Sequence, residues 1–186
     1  ALRRSGAQVG DKVWVTGKPG SSGAGLFALQ KWGSVPGMPA RFRPLAKTHL
    51  KPQPRVEIGE ALARNTKVHA AIDISDGVAK EIHTLCHDSG TRILLDASLF
   101  PHSPALIDLV EHSSIHWTDW FLSGGEDYEL LFCAAPGFKP PENCDVPLTV
   151  IGEVVEGEPA AELRLDLGTT IPLPRGGWDH VFGSLR

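Results

Sequence analysis

Apolar positions along the chain change period several times, and each change marks an element. Lys12-Val13-Trp14-Val15-Thr16 is a short run of β formers and predicts a strand. Val68 to Ile74 is a longer apolar run and predicts a second. Directly after it, Val78, Ile82, Leu85 and Cys86 fall at i, i+4, i+7 and i+8, one face of a 3.6-residue period. Gly90 suits the left-handed cap that ends such a helix. Helices are also predicted at 41–50, at about 54–65 with Ile58, Ala61 and Leu62 inward, at 103–112 behind Ser103-Pro104, and at 116–122. Trp117 and Trp120 share a face of the last and read as core. Further strands are expected at 91–96, from Tyr128 with Leu130 and Phe132 on the same face, at 148–155, at 163–167 and at 169–173.

Composition narrows the class. A chain of 186 residues, 41% hydrophobic and 22% charged, is long enough for one sizeable core. A net charge of −4 gives no broad basic face for nucleic acid. No apolar run approaches the ~20 residues of a membrane span, and no signal peptide is visible, so no membrane partner and a cytoplasmic location are expected. Three cysteines with no C-x-x-C pair agree. His83, Cys86 and His87 share a helix side but lack an evident fourth zinc ligand. The first residue is Ala and the sole Met is Met38, as in a processed chain or a piece of a longer one. Residues 1–11 read as a linker and 12–186 as the domain.

Three stretches carry candidate chemistry. Asp73-Ile74-Ser75-Asp76-Gly77 sits where a strand turns into a helix. Ser75 or Asp76 could cap that helix. Alternatively Asp73 and Asp76 hold a hard cation such as Mg²⁺, with a phosphate favoured at the helix N-terminus and Gly77 letting the backbone approach a ligand. The loop 17–25, rich in glycine, precedes a helix from Leu26. It is a phosphate cradle or a flexible turn with a serine cap, and it is no Walker loop. In Ser123-Gly124-Gly125-Glu126-Asp127-Tyr128-Glu129-Leu130, acids follow a glycine pair at a strand start, as functional groups or as harmless strand-end acids. Near the end, Trp178 behind Gly176-Gly177 is a stacking platform or an anchor.

Taken together, these stretches resemble thiamine-monophosphate kinase, within the superfamily of aminoimidazole ribonucleotide synthetase and selenophosphate synthetase. Arg4-Ser5-Gly6-Ala7 with Gly10-Asp11, Val15-Thr16-Gly17, His49-Leu50-Lys51-Pro52-Gln53-Pro54-Arg55-Val56 and Gly177-Trp178-Asp179-His180 belong to the same pattern. The resemblance implies the C-terminal domain of a two-domain enzyme, with an α+β fold: a mixed β-sheet covered by helices. It implies that Asp73 and Asp76 hold Mg²⁺, that Ser75 contacts ATP, and that Glu126 and Trp178 contact thiamine monophosphate. It further implies an N-terminal domain of the same protein as partner and a homodimer at full length. The family pattern carries Gly-Asp in the early glycine loop and an arginine before His-Leu. This chain has Gly20-Ser21 and Thr48 at those places, which implies one metal ligand and one ATP contact fewer. The implied reaction is transfer of the γ-phosphoryl of ATP to thiamine monophosphate. A phosphate monoester needs no strong base for that attack, since its second pKa is about 6. Another ATP-using activity of the superfamily, or a ligand-binding module without turnover, is the alternative.

Overall fold

The computed structural model describes residues 1–142, 144–165 and 168–176. Its elements are β1 (Lys12–Thr16), α1 (Ser21–Trp32), α2 (Arg43–Leu50), α3 (Val56–Arg64), β2 (Val68–Ile74), α4 (Val78–Ser89), β3 (Arg92–Asp96), α5 (Pro104–Val110), α6 (Trp117–Ser123), β4 (Glu129–Ala134), β5 (Leu148–Val155), β6 (Ala160–Arg164) and β7 (Thr170–Pro172). The strands form one sheet in the order β2-β4-β1-β5-β3-β6-β7. All neighbours are antiparallel except β3 and β6. The expected α+β fold, a mixed sheet covered by helices, is what the chain adopts.

Alternation along the strands divides the core. Val13, Val15, Ala70, Ile74, Leu131 and Cys133 point to one face, where α4 and α6 supply Val78, Ile82, Leu85, Phe121 and Leu122. Ala71, Phe132 and Ala134 point to the other, against Leu62 of α3 and Phe138. Trp14 stacks on Phe132 there, 6.1 Å between ring centroids. A third cluster joins α1, α2 and α5 through Ala24, Ala28, Leu45, Ala46, Leu106 and Leu109. Trp120 belongs to it and Trp117 packs against it, so both are core residues as their spacing predicts. Fully burying a side chain such as Leu62 or Ile82 contributes about 1.5–3 kcal/mol.

Several boundaries move. The helix expected from Leu26 begins at Ser21. Its first turn starts behind Gly20, at φ 87°; a Cβ there would meet the backbone of Trp120 and Phe121 at 2.6 Å. The strand expected at Tyr128 begins at Glu129, because Tyr128 is left-handed, with φ 53°. The strand expected at 163–167 begins at Ala160, in parallel register with β3. Residues 3–11, read above as a linker, lie along the domain. Ala71 donates its N–H to the Arg3 carbonyl at 2.8 Å, Ala7 is buried, and buried Asp11 meets His69 at 3.0 Å.

Candidate active site

The 73–77 turn forms because β2 runs out at Ile74 and α4 starts at Val78. Gly77 is the N-cap residue, and no side chain caps the helix. The capping role considered for Ser75 and Asp76 is therefore not taken up. Glu81, from the first turn of α4, is buried beside this turn. Burial pushes the Glu81 carboxyl up, and the charges of Asp76 and Asp73 push the same way. Gly77, at φ 107°, makes its close approach to protein: a Cβ would meet the Leu122 carbonyl at 2.7 Å. Close packing of α4 against the end of α6 is therefore one requirement met by glycine at 77. Asp73 is exposed, while Ser75 and Asp76 are half-buried. Asp76 meets Lys80 one turn away at 2.6 Å.

The second acidic stretch is laced onto this turn. In the sheet, Asp73 faces Leu130 and Ile74 faces Glu129. Past the strand ends, Glu126 donates its N–H to the Ser75 carbonyl at 2.7 Å and Tyr128 donates to the Ile74 carbonyl at 3.0 Å. Glu126 is exposed and left-handed, with φ 58°. The Tyr128 hydroxyl donates to its carboxylate at 3.1 Å. Asp73, Ser75, Asp76 and Glu126 thus share one rim. Trp178 lies outside the described residues.

Alternate residues of the same stretch turn inward. Asp127 is 4% exposed. It accepts from the N–H of Gly20 at 2.6 Å and of Ser22 at 2.9 Å. Burial pushes its carboxyl up to about 7, against the pull of those two amides. The first turn of α1, considered above as a phosphate cradle, is filled by this carboxylate. Ser21 is buried there, its hydroxyl donated to the Lys18 carbonyl at 2.7 Å. Glu129, 6% exposed, accepts both arms of Arg55 at 2.6 and 2.7 Å and the Thr16 hydroxyl at 2.5 Å. These inward acids floor a cleft of about 400 Å³ that Lys47, Thr48, Lys51, Gln53 and Arg55 also line. Thr48 donates its hydroxyl back to the Pro44 carbonyl at 3.1 Å.

Two other chemistries find no support. Ser22 and His49 meet at 3.0 Å, but Asp127 holds the amide of Ser22 and not the imidazole, so no relay orients a nucleophile. His83 and Cys86 bond separately, to the carbonyls of Leu173 at 3.1 Å and Ala160 at 3.2 Å. Among the described residues, no group of three His, Cys, Asp or Glu converges on a metal position. Sequence reasoning missed Asp127, Glu129 and Glu81 as inward groups. The i, i+2 spacing of Asp127 and Glu129 does not give their direction, because the strand begins only at Glu129.

Residues 8–163 match the family described as AIR synthase related protein, C-terminal domain. The chain belongs to that family. Among its curated relatives, thiamine-monophosphate kinase of Escherichia coli is 37% identical over 187 residues, covering 97% of this chain and 55% of the relative. The chain of this AIR synthase related domain thus spans about half the length of such relatives. The crystal structure of thiamine-monophosphate kinase from Stenotrophomonas maltophilia superposes with a TM-score of 0.76 at 34% identity, covering 89% of this chain and 53% of that one. AaThiL complexed with AMPPCP and TMP superposes with a TM-score of 0.80 at 30% identity, covering 97% and 54%.

Proposed function

We propose that this domain is one half of an ATP-dependent kinase that converts thiamine monophosphate to thiamine diphosphate. The observation that carries the reading is the rim itself. The backbones of two distant acidic stretches are laced together at the open end of β2 and β4, in a fold that superposes on a relative complexed with AMPPCP and TMP. Magnesium fits the donor set, since Mg²⁺ is commonly held by one or two carboxylates plus substrate phosphates. Asp73, exposed, and Asp76, half-buried beside Lys80, would hold it. When bound, it supplies charge neutralisation at the transferring phosphoryl group.

The chain's own residues orient and separate the two substrates. Ser75, at the turn, offers a hydroxyl to ATP. Glu126 offers a carboxylate acceptor to the aminopyrimidine of thiamine monophosphate, and Trp178 offers a ring for stacking on a cationic heterocycle. The attacking atom is a phosphate oxygen of thiamine monophosphate, already ionised near neutral pH, so this domain contributes position rather than proton transfer. The N-terminal domain of the same protein and a second copy complete the assembly. Among the described residues no helix is long and apolar enough to cross a membrane.

The test is formation of thiamine diphosphate from ATP and thiamine monophosphate. The two-domain protein forms it with Mg²⁺, and the 186-residue chain alone does not. Binding of thiamine monophosphate without turnover by the two-domain protein would instead favour the ligand-binding module.

A further inference from the structure

We infer that Asp127 is a positioning residue for Glu126: by clamping the first turn of α1 it fixes the backbone from which Glu126 meets the substrate. The inference rests on the reading of Glu126 given above.

The geometry around Asp127 is unusual on both sides. Glu126 and Tyr128, at φ 58° and 53°, are the two non-glycine residues with positive φ among those described. Left-handed backbone is disfavoured for L side chains and persists only where its surroundings over-determine it. Four hydrogen bonds do so. Two are backbone bonds, from Glu126 to Ser75 and from Tyr128 to Ile74. They would survive most side-chain changes. The other two converge on the Asp127 carboxylate, from Gly20 and Ser22.

That carboxylate therefore ties the loop to a second element, α1, on the side opposite the 73–77 turn. With its side chain drawn inward, the side chains of Glu126 and Tyr128 are turned out, as their exposure records. Asp127 is buried and held by amides, so it acts through its neighbour. Asparagine cannot replace it in kind. It has one acceptor oxygen for two donors, and its amide would face an N–H.

The test is a double-mutant cycle in the two-domain protein, reading the dissociation constant for thiamine monophosphate by calorimetry, with a thermal melt on each variant. Glu126→Gln weakens binding about tenfold, and Asp127→Asn does the same. In the Glu126→Gln background, Asp127→Asn adds less than about twofold, because its effect travels through Glu126. AMPPCP affinity stays within about twofold throughout. If Asp127→Asn does not fold, Asp127→Ser takes its place, with a small hydroxyl acceptor and no amide to bury. An equal loss in both backgrounds, or no loss from Asp127→Asn in a folded protein, overturns the positioning role. No loss from Glu126→Gln overturns the reading of Glu126 itself, which is a separate and distinguishable failure.

Discussion

The two acidic stretches meet at one rim but are built on opposite plans. In 73–77 the carboxylates of Asp73 and Asp76 stay at the surface, and a glycine does the packing. In 126–129 the residues alternate: Glu126 and Tyr128 out, Asp127 and Glu129 in. The first turn can lose a carboxylate without losing a structural bond in the core. The second cannot, since Asp127 and Glu129 together accept from Gly20, Ser22, Thr16 and Arg55. Residue type alone does not separate a ligand from a strut; burial and partner do.

The sharpest way to break this contrast is to neutralise one acid of each kind. In the two-domain protein, Asp73→Asn should lower thiamine diphosphate formation by about a thousandfold, because phosphoryl transfer depends on positioned charge. Its melting temperature should barely change. A low melting temperature with normal turnover would make Asp73 a structural group. Glu129→Gln should do the reverse. It leaves Arg55 facing a neutral amide in a half-buried pair, and breaking such pairs costs about 3 kcal/mol. Chemical denaturation would measure it, and a loss under about 1 kcal/mol would contradict the strut reading.

Acidity sharpens the same contrast. Asp127 keeps its proton to about 7 in the folded chain, against 3.8 as the ordinary value. Between those values the folded state binds more protons than the unfolded state. The stability tied to this group is therefore fully present below about 3.8 and declines as pH rises through about 7. Asp127→Asn should flatten that decline in a series of melts, and an unchanged slope would assign it to other groups. The smallest effect belongs to the outward side. Tyr128→Phe removes a hydroxyl bonded to exposed Glu126, and the melting temperature should barely shift.

Much of this was legible in the sequence. The span of β5 and the inward face of α4 follow from period alone. The start of α1 was not, because its buried face is Ser21, Ser22, Ala24, Gly25 and Ala28. Such residues read as loop, yet a Cβ on Gly25 would meet the Leu45 carbonyl at 2.1 Å. Small size there is a packing requirement between α1 and α2. The first half of β6, Ala160-Ala161-Glu162, has little strand propensity and is held by pairing with β3, a tertiary effect. Motifs single out Asp73, Ser75, Asp76 and Glu126 as candidates, and the structure brings their two stretches together. The inward turn of Asp127 was not legible, since it depends on left-handed backbone at Glu126 and Tyr128, which neither residue type favours.

As proposed above, the rim meets two substrates through different carboxylates. The most direct test is a crossed titration of the two-domain protein with thiamine monophosphate and with AMPPCP plus Mg²⁺. Glu126→Gln should weaken thiamine monophosphate about tenfold and leave AMPPCP unchanged, while Asp73→Asn should weaken only the Mg²⁺-dependent binding of AMPPCP. Equal losses for both ligands in either variant, or none in both, would contradict the account.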